Sequence, residues 1–290
     1  MLISHKKETE FNINLHIDFI KEHTPEPELA AKKIELLTCL SEFALGRFLL
    51  THRGLNGYWT SYLILHGIHQ TSLSSLETWL LHQAPAIKAT RERFYIFQEQ
   101  LQKRLSDNMA LASIPCGLMD DLLTLDYHGV STISLTGIDL DSLSLTLAEE
   151  NAHHHGIEFV RFLKKDAWRL DITEQFDVIV SNGLNIYEPD PARLVNLYRQ
   201  YHEALKNDGT LITSFVTPPP AVSPQSPWKN FNIEDTRKQQ LIFTEIIQAN
   251  WQSYQLEDEA SRQLTAAGFE VESIVYDSQC MFPTIVAKKT

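Results

Sequence analysis

Cys116-Gly117, Asp139, Asp166 and Ser181-Asn182 are residues whose types and spacing could do chemistry. Each closes or follows an apolar run, so each reads as the polar end of a buried strand. A carboxylate in such a place accepts charge-assisted hydrogen bonds from the hydroxyl or amine groups of a ligand. A thiol at a strand-to-helix turn is a candidate nucleophile, because the helix N-terminus favours the thiolate. The sequence sets no histidine beside Cys116, however, and cysteine is often simply a buried small residue. His153-His154-His155, beside Glu149 and Glu150, offers metal-ligand types. Adjacent helical residues do not share a face, so a solvated helix end is expected there and no metal site.

The elements that must position these residues alternate. Met109 to Gly117 reads as a strand ending at a glycine turn, and Leu118 to Leu125 as a helix. Strands follow over Ile133–Asp139, about Ile157–Leu163 and Phe176–Asn182. Leu143, Leu145 and Leu147 alternate like a strand, but Asp141-Ser142 can cap a helix that runs on through Ala-Glu-Glu-Asn-Ala. Asp190 and Pro191 start a second helix with the apolar face Leu194, Leu197, Tyr198, Tyr201 and Leu205. Asn207-Asp-Gly209 is expected to end it, before a fifth strand over Thr210–Val216. Strands and helices at this spacing predict βαβ units and a parallel sheet. In such sheets ligands bind at the carboxyl ends of the strands, near the switch point.

The flanks differ. Residues 1–108 read as a helical cap, with segments over Ala30–Leu50, Leu73–Gln83 and Ala86–Leu105. Gly54-Leu-Asn-Gly57 interrupts them ahead of the aromatic group Tyr58-Trp59 and Tyr62. Within the second region, 109–290, a stretch over 218–255 breaks the alternation. Pro218 to Pro220, Pro224 and Pro227 favour extended chain, and a helix is expected from Ile233 to Trp251, together a candidate lid. The chain closes with a helix to Ala267, a capping Gly268, and strands over Phe269–Tyr276 and Phe282–Lys288. Two strands joined by so short a loop must be antiparallel.

With 290 residues, 43% hydrophobic and 21% charged, the chain has the composition of a globular enzyme. Its net charge of −12 argues against a large phosphate-backbone footprint, so nucleic acid is disfavoured and a small-molecule substrate favoured. Cys39, Cys116 and Cys280 are too few and scattered for a disulfide framework. Met1–Glu8 lacks the apolar core of a signal peptide, and no run is long enough for a membrane span. A cytoplasmic setting is expected. Oligomeric state is not legible.

Thr-Gly-Ile-Asp139, Lys-Asp166-Ala167-Trp168 and Phe-Asp177-Val-Ile-Val-Ser-Asn182, in this order, resemble the class I S-adenosylmethionine-dependent methyltransferases. The resemblance covers about Met109 to Lys288. It implies a Rossmann-like, doubly wound α/β sheet of seven strands with an antiparallel terminal pair. Ser181-Asn-Gly-Leu-Asn-Ile-Tyr-Glu-Pro189 and Thr217-Pro-Pro-Pro220 look like a bacterial subgroup. The first glycine-rich turn is reduced to Ile114-Pro115-Cys116-Gly117, which suits a cofactor without a pyrophosphate better than a dinucleotide.

The implied cofactor is S-adenosylmethionine. Asp139, with Leu140 beside it, would take the ribose hydroxyls, and Asp141 would cap the following helix. Asp166 and the Ala167 N–H would take adenine, with Trp168 as a candidate stacking ring. Ser181, Asn182 and Gly183 would face the reacting end, with Asn182 and Tyr187 as catalytic candidates and Glu188 as a further contact or base. Arg53, near Tyr58, could pair with the methionine carboxylate. Two other readings stand beside this one: an inactive Rossmann-like module that binds protein, and a hydrolase using Cys116.

Overall fold

The computed structural model describes residues 12–158, 160–251 and 253–290. Met1–Glu8, and Phe159 within the third expected strand, lie outside the described residues. The chain begins with α1 (Ile13–His23), α2 (Pro27–Ser41) and α3 (Ala44–His52). The single helix expected over Ala30–Leu50 is therefore two. A Cβ on Gly46 would lie 2.0 Å from the Leu40 carbonyl oxygen, so the closeness of α3 to the end of α2 requires glycine. Next come α4 (Gly57–Ser61), a π-helical turn (Tyr62–His66), a 3-10 turn (Gly67–His69), α5 (Ser75–His82) and α6 (Pro85–Gln102).

The alternation follows: β1 (Ala110–Ser113), α7 (Asp120–Leu123), β2 (Ser134–Asp139), α8 (Ser142–His154) and β3 (Val160–Lys164). It continues through β4 (Phe176–Ser181), α9 (Pro191–Ala204) and β5 (Leu205–Ser214). The chain ends with α10 (Ile233–Gln240), α11 (Glu257–Ala266), β6 (Phe269–Val275) and β7 (Thr284–Lys289). Helix α8 forms over the alternating leucines because Asp141 accepts the N–H groups of Leu143 and Ser144. Helix α9 has the expected start, with Asp190 accepting the Ala192 N–H, but not the expected end. It stops at Ala204, since Leu205 already pairs with Phe176 in the sheet and a register shift absorbs the residues that follow. Likewise α10 ends at Gln240 and passes into a π-helical turn (Leu241–Ile246), short of the expected Trp251.

The chain divides into two compact units. One comprises the described part of Met1–Lys88 with Asn230–Trp251, and the other Ala89–Lys229 with Gln252–Thr290. In the helical unit, Leu37, Leu40, Leu49 and Leu80 form a core with Ile242 and Phe243. Lys33 pairs with Glu245 at 2.7 Å, and Trp79 Nε1 donates to Asp235 at 2.6 Å.

The other unit is built on a seven-stranded sheet of order β3-β2-β1-β4-β5-β7-β6. Its first five strands are parallel, and β7 runs antiparallel to both β5 and β6. Successive side chains point to opposite faces, so the strands feed two cores. Leu111, Val178, Ile212 and Val286 meet Phe97 and Leu101 of α6 on one face. Ala112, Ile179, Leu211 and Ile285 meet α9 and α11 on the other, against Tyr201 and Leu264. Among the described residues no helix is long and apolar enough to cross a membrane.

Candidate active site

The strand order reverses between β1 and β4, and the carboxyl ends of a parallel sheet at that point are where ligands bind. The turn after β1 is tied to both neighbours. Ile114 N–H donates to Val180 O at 2.8 Å, and Cys116 N–H to Ile138 O at 2.9 Å. Gly117 then takes a φ of 51°, which turns its N–H onto Asp139 Oδ2 at 3.0 Å. Asp141 N–H donates to the other oxygen, Oδ1, at 2.9 Å. Two backbone bonds thus hold the Asp139 carboxylate at the end of β2, with lone pairs remaining for a ligand. Burial pushes its carboxyl up, and the Asp141 and Gly117 N–H groups pull it back down.

One glycine inside a strand makes this turn fit. A Cβ on Gly137 would lie 2.9 Å from the Phe162 ring and 3.1 Å from Cys116 Sγ. Cys116 itself is buried, and its thiol is pushed well up by that burial, reinforced by the Asp139 and Asp121 charges. A protonated, enclosed thiol is a poor nucleophile, so the hydrolase reading loses its residue. Asp141 caps α8, as expected.

At the end of β3, Lys165 N–H donates to the Asp139 carbonyl at 3.0 Å, which joins this turn to the last one. Asp166 Oδ1 accepts the Trp168 N–H at 3.0 Å, leaving Oδ2 without a partner among the described residues. Ala167 is buried. The Trp168 ring packs partly against the sheet core, and Arg193 lies 5.8 Å from its centre. The buried Trp168 Nε1 has no hydrogen-bond partner among the described residues.

Beyond β4 the residues part company. Ser181 turns its hydroxyl into the core, 3.0 Å from the Tyr201 hydroxyl, so only its backbone is left to a ligand. Asn182 keeps a buried Oδ1 with no hydrogen-bond partner among the described residues. Gly183 has a φ of 89°, and a Cβ there would meet nothing within 4 Å. The following turn is anchored by Asn185 Nδ2, which donates to Tyr198 Oη at 2.9 Å and Ser214 O at 2.6 Å. Tyr187 sits in that turn. Glu188 is engaged twice, by Arg193 Nε at 2.8 Å and the Asp190 N–H at 3.1 Å, which fixes the start of α9.

The structure brings together Pro115, Cys116, Gly117, Asp139 and Leu140 at adjoining strand ends, with Asp166 and Asn182 just beyond the ends of β3 and β4 on the same edge of the sheet. Arg53 and Tyr58 belong to the helical unit. Arg53 caps α3 in a left-handed conformation with φ 54°, and its carbonyl accepts the Asn250 N–H at 2.9 Å. Tyr58 is exposed and lies edge-on to Trp59. His153, His154 and His155 form the exposed end of α8 and its cap. Sequence reasoning missed buried charges in the sheet-bearing unit, Arg93, Asp121 and Asp277. The signal for Arg93 was present: it stands four residues before Phe97 and eight before Leu101, inside an apolar stripe.

A family model described as "Methyltransferase domain" matches residues 105–267. A solved structure described as a possible exported protein from Bordetella parapertussis is 41% identical, with a TM-score of 0.91 over 96% of this chain and 94% of that one. A SAM-dependent methyltransferase from Methanosarcina mazei is 20% identical, with a TM-score of 0.50 over 66% of this chain and 96% of that one. A geranyl diphosphate methyltransferase in complex with GPP and sinefungin has a TM-score of 0.52 at 11% identity, over 70% of this chain and 79% of that one. No curated protein matches the chain.

Proposed function

We propose that this chain, which belongs to the class I S-adenosylmethionine-dependent methyltransferases and takes that cofactor, methylates a small-molecule acceptor through the residues at these strand ends. The supporting observation is Asp139, a half-buried carboxylate held by two N–H groups at the switch point, with acceptor capacity to spare. The unpartnered oxygens of Asn182 and Asp166 suit a ligand bearing hydroxyl and amine groups. These residues fit the cofactor. When bound, it supplies an electrophilic methyl carbon on a sulfonium centre.

The chain's own task is then to bind, align and exclude water. In this reading Asp139 accepts the ribose hydroxyls, while Asp166 and the Ala167 N–H hold the adenine edge. The turn at Pro115, Cys116 and Gly117 offers backbone at close approach. Asn182 Oδ1 orients the attacking group of the acceptor, and Tyr187, in the turn that follows, is a further acceptor contact. The net charge of −12 supports a small-molecule acceptor over nucleic acid. A bacterial, cytoplasmic setting belongs to the same proposal, supported by three free cysteines. Fractionation of the native protein decides that point, since the similar Bordetella protein carries an export description.

Calorimetric titration with S-adenosylhomocysteine tests the site. Asp139→Ala should weaken binding about tenfold or more, equivalent to about 1.4 kcal/mol or more. Unchanged affinity would remove Asp139 from the site.

A further inference from the structure

Arg93 stands where an apolar residue is expected. It continues the Phe97 and Leu101 stripe of α6 and is only 5% exposed. Its Nη1 donates to Ser214 Oγ at 3.3 Å, at the carboxyl end of β5, and its guanidinium carbon lies 4.7 Å over the Phe282 ring. Its Nε has no hydrogen-bond partner among the described residues. Among the described residues no carboxylate pairs with it. Asp277 acts on it from farther off, but the Asp277 oxygens accept the N–H groups of Gln279, Met281 and Phe282 at 3.0, 3.2 and 2.6 Å. Burying a cation without a paired anion is costly to folding.

Two more orphans gather at Ser214. Asn185 donates its amide to the Ser214 carbonyl and leaves a buried Oδ1 unpartnered. Thr284 is the cross-strand partner of Ser214, so the two side chains share a face, and its buried Oγ1 also has no partner among the described residues. Arg93 and Thr284 offer donors, and Asn185 offers an acceptor. An enclosed water could satisfy the neutral groups but would leave the guanidinium with no anion within hydrogen-bond reach. A carboxylate would answer that charge and the Thr284 hydroxyl, and a donor group beside it would answer Asn185.

We propose that Arg93, Thr284 and Asn185 form the receptor for a carboxylate on the methyl acceptor, so that the acceptor is a small organic acid with a hydrogen-bond donor near its carboxylate. The word acceptor rests on the methyl-transfer reading; the anion site does not. Thermal unfolding of the full chain with benzoate, and with benzamide as the neutral match, tests it alongside a separate titration with S-adenosylhomocysteine. Benzoate should raise the midpoint by about 2 °C or more, and benzamide should not. Arg93→Met should abolish that response and keep the response to S-adenosylhomocysteine. Thr284→Val, matched in shape, should reduce the benzoate response and reads the site independently if Arg93→Met fails to fold.

The proposal falls if benzoate has no effect on the native chain, if benzamide acts equally, or if Arg93→Met still responds. A benzoate response that depends on Arg93, without any response to S-adenosylhomocysteine, would keep the anion site and remove methyl transfer. The reverse pattern would remove the anion site alone.

Discussion

Asp121 sits on α7, shut off from water, with Ser113 Oγ donating to its Oδ2 at 2.7 Å and the Leu122 N–H to its Oδ1 at 3.0 Å. Those two bonds favour the ionised form, yet burial outweighs them and pushes the carboxyl from its ordinary 3.8 up to about 7. A carboxyl raised on folding stabilises the fold while protonated. That contribution is complete below the unfolded value and is lost as pH rises through about 7. Stability to urea should therefore fall from about pH 5 to about pH 8, with burial of the charged form costing on the order of a few kcal/mol. Asp121→Asn keeps an acceptor for Ser113 and has no proton to lose over this range, so its slope should be shallower. An equal slope in the variant would assign the effect elsewhere, for instance to Asp139, which is shifted the same way. Asp121 could not be singled out from sequence, because a charged residue type says nothing about its own burial, whereas Arg93 stands in register with Phe97 and Leu101. Asp139 was legible because it ends an apolar run.

Helix α9 carries the clearest local instructions in the chain. Asp190 accepts the Ala192 N–H at 2.9 Å, Pro191 occupies the first turn, and Leu194, Leu197, Tyr198 and Tyr201 face the core. Asp190→Ala should cost about 0.5–2 kcal/mol in urea unfolding, and no loss would mean that packing alone sets the start of α9. Local signals of this kind also made α8, the Gly268 stop and the antiparallel terminal pair readable. They failed where a partner overrode them. Asn207-Asp208-Gly209 has turn chemistry, yet Leu205 pairs with Phe176 and the strand begins before the turn residues. Ala30 to Leu50 has an unbroken helical rhythm, yet the chain turns after Ser41, where only a glycine at 46 lets α3 approach Leu40. The π-helical turns at Tyr62–His66 and Leu241–Ile246 likewise have no sequence signature in their apolar spacing.

Over the whole molecule, cofactor binding must appear as stability. S-adenosylhomocysteine at about a hundred times its Kd should stabilise the native state by about 2.7 kcal/mol. Because the chain has two compact units, calorimetry is the appropriate reading, and the transition of the sheet-bearing unit should move upward. A scan unchanged by the ligand would argue against a cofactor site at the strand ends. By itself the sequence determined the α/β class, the seven-strand pattern and the carboxylate at Asp139, because periodicity, caps and strand-end polarity are local properties of the chain. Only the tertiary structure decided that 230–251 joins the helical unit, that Ser181 turns its hydroxyl inward, and that Arg93, Asn185 and Thr284 converge on Ser214. Those outcomes depend on which distant segments meet and on how much water each meeting excludes, and neither is carried by the spacing of residues along the chain.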